Sequence, residues 1–212
     1  MKNQAYLFDF DGTLVDSMPT YVGIMLNILD EYGVKYGDDI VKIITPLGYG
    51  GAAEYYRILG ITTPASELVA LMQARAFEAY AHTIPAKHTV PETLRALKAR
   101  GADLNVLTAS PHSVLDPCLK RLGVWDLFTN VWSCEDFATT KADPAIYAMA
   151  AEKLDRTVGE VIFVDDNFNA VKTAKDAGMR ACAIFDPSSA EYRTQIEQTA
   201  ERYLETLAEL LS

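Results

Sequence analysis

Cysteine and histidine are both scarce in this sequence, and neither is arranged as a metal site. The 212 residues include three cysteines and three histidines, and no CxxC pair occurs. The cysteines Cys118, Cys134 and Cys182 lie far apart among apolar or aromatic neighbours. We therefore expect buried, reduced thiols, and neither a disulfide framework nor a zinc site.

Basic residues are outnumbered as well. The chain has 19 Lys and Arg against 29 Asp and Glu, which gives a formal net charge of -10. Proteins that bind nucleic acid gain much of their affinity from Lys and Arg displacing counterions, so we expect no nucleic-acid partner. The same acidic field repels anionic substrates at long range. Any phosphate site must therefore be made positive locally by a metal, a lysine or backbone amides.

Long apolar runs are missing too. The first apolar run, residues 5–8, is too short for the hydrophobic region of a signal peptide, and no later run could cross a bilayer. We expect no membrane partner and a cytoplasmic location. Half of the residues are hydrophobic, which is enough for one core and a small accessory domain.

Five short apolar runs have the composition of buried parallel strands. They do not alternate between apolar and polar residues, and helical patterns separate them. This order predicts an α/β fold with a doubly wound, Rossmann-like parallel sheet. The predicted strands are residues 5–8, 104–107, 130–132, 161–164 and 181–185, and the predicted helices are 91–100, 113–122, 144–154, 169–177 and a final one over 189–211.

One segment interrupts the alternation of strands and helices. Residues 17–87 are helical in pattern throughout, which is too long for a crossover between strands. We expect this segment to form a helical cap domain inserted into a catalytic core of residues 1–16 and 88–212. The helices predicted within it are residues 19–32, 38–44, 51–59 and 65–82.

Two carboxylates follow the first predicted strand, at Asp9 and Asp11. The alternation of a strand puts both side chains on the same side of the chain, where they repel one another unless a cation or a proton lies between them. Gly12 then permits a tight exit of the backbone. A solvated turn is the alternative reading of this pattern taken alone.

Polar side chains also follow the later strands. Thr108, Ala109 and Ser110 bring hydroxyl and amide donors to the end of the second strand, and Lys141 comes after the third. Taken singly, a helix cap and a surface charge would explain them. Asp165 and Asp166 end an otherwise apolar strand, where burial opposes adjacent acids unless a metal or a lysine offsets their charge.

An acid pair, a hydroxyl, a lysine and a second acid pair thus follow successive strands. In this order they resemble the four motifs of the haloacid dehalogenase superfamily, and the resemblance extends from Asp9 to the turn at Ala177-Gly178-Met179. The helical insertion after the first motif is similar to that of the subgroup with phosphoglycolate phosphatase and beta-phosphoglucomutase. Ala142 departs from the proline that usually follows the lysine, which concerns loop rigidity more than chemistry.

This resemblance implies a role for each carboxylate. Asp9 would be the nucleophile and would form an aspartyl-phosphate. Mg²⁺ would be held by the Asp9 carboxylate, the backbone carbonyl of Asp11 and the Asp166 carboxylate. Asp165 would not bind the metal directly but would orient metal-bound water. Asp11 would act as general acid and then as general base, which favours phosphoryl transfer over the cleavage of carbon–halogen bonds.

The resemblance also implies which groups bind the substrate. Thr108, Ala109 and Ser110, with the amides of Phe10 and Asp11, would bind the phosphoryl oxygens. Lys141 would neutralise the charge of the transition state and pair with the nucleophile.

The helical insertion would close over the site and read the leaving group. Its loop at Pro46–Gly51, with Gly48, Tyr49 and Gly50, is the candidate for reading the substrate, although an ordinary connection between helices would show the same pattern. Arg57 and Lys87 are candidate contacts for a substrate anion that the sequence does not separate from surface charges.

The function that these residues favour is a Mg²⁺-dependent phosphatase acting on a small phosphorylated metabolite. A phosphomutase of sugar phosphates shares all four motifs and is the first alternative. A phosphoacceptor signalling module uses similar groups in a different order, and a non-catalytic protein with this fold would be expected to lose a motif. Phosphoglycolate, sugar phosphates and nucleotides all stay open as substrates, and the sequence does not specify an oligomeric state.

Overall fold

The computed structural model describes residues 3–212, which divide into two compact units. One comprises the chain up to Asp16 together with Pro85–Ser212, and the other is Ser17–Ile84. The second boundary precedes the one expected from the sequence at residue 87. The reason is local: the amide of Asp16 donates to Pro85 O (3.0 Å) and that of Lys87 to Leu14 O (3.0 Å), so the returning chain pairs with the outgoing one. The assignment of the units as core and cap stays a prediction.

Among residues 3–212, the first unit is built on a sheet of six parallel strands. Its strand order is β3-β2-β1-β4-β5-β6, with β1 at the centre and hydrogen-bonded to both β2 and β4. This confirms the predicted Rossmann-like α/β fold. The strands are β1 Ala5–Phe8, β2 Asp103–Thr108, β3 Asn130–Ser133, β4 Val161–Asp165, β5 Arg180–Ile184 and β6 Arg202–Leu204.

The Ser17–Ile84 unit is an all-helical bundle with its own hydrophobic cluster. On its first helix the buried residues Met25, Ile28 and Leu29 recur at spacings of three and four and form one face. The hydroxyl of Tyr56 donates to Met25 O (2.9 Å) inside this cluster. The helices are α1 Met18–Glu31, α2 Ile40–Ile44, α3 Gly48–Ile58 and α4 Ala65–His82.

Five further α-helices lie in the described part of the sheet unit. One of them follows each of β2, β3 and β4 in the chain, as the alternating pattern predicted. Their bounds are α5 Val90–Ala99, α6 His112–Arg121, α7 Ala145–Lys153, α8 Phe168–Asp176 and α9 Arg193–Thr199.

The predicted long helix over residues 189–211 is wrong. The chain there forms a 3-10 helix at Pro187–Tyr192, then α9, β6 and a second 3-10 helix at Leu207–Leu211. The amide of Glu201 donates to Ala181 O (2.7 Å), and β6 extends the sheet beside β5. The open edge of β5 therefore decides the conformation of this segment, against its local helical pattern.

Within residues 3–212, the helices are either too short or too polar to cross a membrane.

We predict that Ile28→Ala lowers the free energy of unfolding by about 2–5 kcal/mol, because the side chain is fully buried and its loss leaves a cavity. Ile58→Ala is the matched control within the same unit, since Ile58 is 79% exposed, and should change stability by no more than about 0.5 kcal/mol. Urea titrations followed by circular dichroism measure both. Equal losses in the two variants would contradict the assigned core.

Candidate active site

The carboxyl edge of the sheet collects polar groups from three neighbouring strands. Phe8, the last residue of β1, pairs with Val106 of β2 and Val164 of β4, so these strands end side by side. The amide of Asp9 continues this ladder and donates to Val164 O (2.9 Å). Side chains that follow β1, β2 and β4 therefore meet at one place, at the switch point where such folds bind ligands.

Three buried carboxylates lie together at this edge. One oxygen from each of Asp9, Asp165 and Asp166 lies within 4.8 Å of the others. The three residues are only 4%, 0% and 6% exposed, respectively. The structure thus brings Asp9, one member of the first acid pair, together with both members of the second pair, although Asp9 and Asp165 are 156 positions apart in the chain.

Lys141 lies between two of these carboxylates. Its Nζ donates to Asp9 Oδ1 (2.5 Å) and to Asp165 Oδ2 (2.8 Å). The buried Tyr147 contacts the backbone of the loop that carries Lys141. Its hydroxyl lies 3.0 Å from Lys141 O and 3.1 Å from Ala170 O. Lys141 is therefore part of the site and not a solvated surface charge.

Burial, more than any neighbouring charge, shifts the pKa values of the carboxyl groups of Asp9 and Asp166. Burial, reinforced by Asp165 and Asp166, raises the pKa of Asp9 well above its ordinary value although Lys141 pulls it down. Burial together with the charges of Asp165 and Asp186 raises the pKa of Asp166 to about 7. Burial alone would lower the pKa of Lys141, but the carboxylates of Asp165 and Asp9 outweigh it and raise that pKa well above its usual range.

A hard divalent cation fits this donor set. When fully ionised, the three carboxylates and the single ammonium of Lys141 leave two negative charges in a buried volume. The oxygens of Asp9 and Asp166 are ligands that Mg²⁺ prefers. Asp165 is occupied otherwise, because its Oδ2 accepts from Lys141 and its Oδ1 accepts from the amide of Asn167 (2.7 Å).

The turn after β1 requires glycine for two reasons. Gly12 has φ +75°, and a Cβ built on it would lie 2.7 Å from both carboxylate oxygens of Asp166. Phe10, whose side chain is fully buried, accepts the amides of Leu14 (2.8 Å) and Val15 (3.0 Å) through its carbonyl and closes the turn. Gly12 thus lets the backbone approach Asp166 directly.

The residues after β2 form a network with Asp11. Ser110 Oγ donates to Asp11 Oδ2 (2.5 Å), and the amide of Ser110 donates to Thr108 Oγ1 (3.1 Å). Thr108 is buried, and the neighbouring Ala109 is exposed. Asp11 is not one of the three clustered carboxylates. Its carboxylate instead accepts the hydrogen bond from the hydroxyl of Ser110.

Other contacts at this edge have no counterpart in the sequence analysis. Thr13 Oγ1 donates to Asp166 Oδ1 (3.1 Å), and Ser189 Oγ donates to Asp166 Oδ2 (3.2 Å). Thr13 directly follows the Asp9–Gly12 motif and could have been suspected, whereas nothing in the local sequence marks Ser189. Asp186 follows an apolar strand just as Asp165 ends one, and the same argument could have singled it out.

The residues expected to read the substrate lie in the helical unit. The predicted loop at residues 46–51 is partly wrong, because α3 begins at Gly48 and takes Gly48, Tyr49 and Gly50 into its first turn. Tyr49 stacks on Tyr21 with a centroid distance of 4.9 Å. Arg57 is exposed beside Glu54, its ion-pair partner at 3.6 Å.

The structure also shows the surroundings of Lys87 and of the three cysteines. The Lys87 ammonium makes hydrogen bonds inside the sheet unit and is not a free surface charge. All three cysteines are buried free thiols, as predicted.

The fold and the acidic site together define a class of enzyme, and comparisons with known proteins identify it. The model of the haloacid dehalogenase-like hydrolase family matches residues 4–178. The chain belongs to this family and is an enzyme of the hydrolase class.

Several relatives are phosphatases by name. The pyrophosphatase PpaX of Bacillus velezensis is 29% identical over 183 residues, which cover 85% of this chain and 82% of the relative. The phosphoglycolate phosphatase of Pectobacterium atrosepticum is 29% identical over 181 residues, with coverage of 82% and 76%. The crystal structure of a HAD family hydrolase from Deinococcus radiodurans, with bound phosphate and sodium, superposes with a TM-score of 0.80 at 23% identity, over 99% of this chain and 93% of that one.

We predict that Gly12→Ala destabilises the protein by more than about 1–2 kcal/mol, the approximate cost of the left-handed conformation alone for a residue with a Cβ. The new methyl group also displaces Asp166. Gly23→Ala in α1 is the control, because its Cβ meets nothing within 4 Å, and alanine there should stabilise by about 0.5–1 kcal/mol. Thermal unfolding without added metal checks both, and a Gly12→Ala protein as stable as the parent would refute the argument.

Proposed function

We propose that this enzyme is a Mg²⁺-dependent phosphatase that hydrolyses a small phosphate monoester through an aspartyl-phosphate on Asp9. One observation carries the proposal: the half-buried Lys141 bridges Asp9 and Asp165 where a third carboxylate, Asp166, completes an acidic cluster. A cluster of this kind is costly to bury unless a cation offsets its charge. Carboxylates whose pKa values are shifted by burial and by a specific charged partner are also typical of catalytic sites.

Asp9 is the nucleophile in this proposal. Lys141 binds its Oδ1, which leaves Oδ2 as the oxygen that attacks phosphorus in line. The ammonium orients the carboxylate and offsets the charge that accumulates on the phosphoryl oxygens. The attack forms the bond between Asp9 and phosphorus and breaks the bond from phosphorus to the leaving oxygen.

Asp11 is the general acid and then the general base in this proposal. It follows Asp9 by two residues, and the hydroxyl of Ser110 fixes its carboxylate. In the first step it gives a proton to the leaving alcohol, and in the second it takes a proton from the water that attacks the aspartyl-phosphate. Inorganic phosphate and free Asp9 are regenerated together.

The phosphoryl oxygens need donors that the acidic protein as a whole does not offer. The amides of Phe10 and Asp11, the hydroxyl of Thr108, the segment of Ala109 and Ser110, and the ammonium of Lys141 supply them in this proposal. The cation is held by the carboxylates of Asp9 and Asp166 and the backbone carbonyl of Asp11, while Asp165 holds Lys141. When bound, Mg²⁺ supplies the positive charge that lets a carboxylate approach a phosphate anion.

The substrate in this proposal is a small phosphorylated metabolite, in keeping with the names of the relatives. Within the helical unit, Gly48, Tyr49 and Gly50 are the residues proposed to read its leaving group. Release of inorganic phosphate without a bisphosphate primer separates this function from that of a phosphomutase, which returns the phosphoryl group to another hydroxyl.

We predict that Asp9→Asn lowers phosphate release at least about a thousandfold, since the amide is a far weaker nucleophile than the carboxylate. The assay is a panel of phosphorylated metabolites with Mg²⁺ and detection of inorganic phosphate. Asp176→Asn is the matched control, because Asp176 is exposed and pairs with Lys172 on the surface of α8. Full activity in the Asp9→Asn protein would overturn the proposal.

We predict a different defect for Asp11→Asn. With p-nitrophenyl phosphate, whose leaving group needs no proton, the first step should proceed, whereas hydrolysis of the intermediate should stall without its general base. The expected signature is a burst of one p-nitrophenol per enzyme and a phosphorylated protein that is visible by intact-protein mass spectrometry. Steady turnover without a burst would contradict the second role of Asp11.

A further inference from the structure

Lys87 makes an unusual set of contacts outside the acidic cluster. Its Nζ donates to Gly12 O (2.5 Å), Phe185 O (2.7 Å) and Asp186 Oδ2 (2.9 Å), which uses all three protons of the ammonium. The side chains of Lys87 and Asp186 are only 16% and 1% exposed. A buried ion pair of this kind is weak evidence for a gain in stability, because desolvation offsets the attraction.

The groups that Lys87 joins belong to two separate turns at the edge of the sheet. One is the turn after β1, which contains Gly12 and Thr13. The other follows β5, where Asp186 Oδ1 accepts from the amide (3.0 Å) and the hydroxyl (2.6 Å) of Ser188 and so caps the 3-10 helix Pro187–Tyr192. The ammonium thus links two segments that are far apart in the chain.

Each of these turns supplies one hydroxyl to Asp166. Thr13, next to Gly12, donates to Oδ1, and Ser189, three residues after Asp186, donates to Oδ2. The carboxylate of Asp166 is therefore held from both sides, and its orientation depends on the distance between the two turns. The Lys87 ammonium spans that distance directly.

We propose that Lys87 is a positioning residue: together with Asp186 it fixes the two turns whose hydroxyls orient Asp166 for cation binding. This inference rests on the proposed function only in that Asp166 is taken as a ligand of the cation. Outer contacts of this type commonly change metal affinity by about 10–100-fold when they are removed.

The decisive variant is Lys87→Met/Asp186→Asn. It removes the link between the turns without changing the net charge, whereas Lys87→Met alone would also make the site more negative and so attract the cation more strongly. The asparagine keeps a side-chain oxygen for the amide of Ser188. Lys172→Met/Asp176→Asn is the matched control, because it makes the same two substitutions in an exposed ion pair on α8.

The measurement is the dissociation constant for Mg²⁺ alone, by isothermal titration calorimetry on the full chain. We expect Lys87→Met/Asp186→Asn to weaken binding at least about tenfold and the control pair to leave it unchanged. At saturating Mg²⁺ the KM for the substrate should stay within about threefold, since the residues that bind the phosphoryl group are untouched. Circular dichroism verifies that both proteins are folded.

A second variant keeps the test open if the double variant does not fold. Ser189→Ala removes one of the two hydroxyls on Asp166 and little else, and it should weaken Mg²⁺ binding severalfold. Unchanged Mg²⁺ affinity in the folded double variant, or in Ser189→Ala if the double variant does not fold, would overturn the inference. A parent protein that binds Mg²⁺ but hydrolyses no phosphate ester would instead refute the proposed function and leave this test intact.

Discussion

The contact on which the site depends is the ammonium of Lys141 held between Asp9 and Asp165. Carboxylates so close together in a buried volume oppose folding through desolvation and mutual repulsion, and a single ammonium does not balance them. The raised pKa values of Asp9 and Asp166 express this deficit. In the proposed function a bound cation supplies the missing positive charge, and the cation and Lys141 together attract the phosphate.

Several other features of the sheet unit follow from this constraint. Lys141 must be placed accurately, and the hydrogen bond from the Tyr147 hydroxyl to the backbone carbonyl of Lys141 helps to fix its loop. The backbone has to pass close to Asp166, so the turn needs Gly12, where any Cβ would touch the carboxylate. Parallel strands in register bring the ends of β1, β2 and β4 to one edge of the sheet. The sheet therefore brings the polar side chains of the site together, and the turns that follow the strands orient them.

The two units divide the chemistry from the choice of substrate in the proposed function. The residues proposed as the nucleophile, the proton carrier and the bridging lysine all lie in the sheet unit. The helical unit, which contains the residues proposed to read the leaving group, has a separate hydrophobic cluster. A protein with a net charge of -10 needs such local arrangements, because its overall field does not attract an anion.

The sequence by itself determined the fold class, five of the strands and the motif residues Asp9, Asp11, Lys141 and Asp166, because apolar runs and the order of polar residues after them are local signals. Tertiary structure decided the rest. The helical pattern before Leu211 gave way to β6 because the edge of β5 offered hydrogen bonds that no local pattern reports. Contacts between distant turns, such as those on Asp166, depend on which strands become neighbours, and only the folded sheet specifies that.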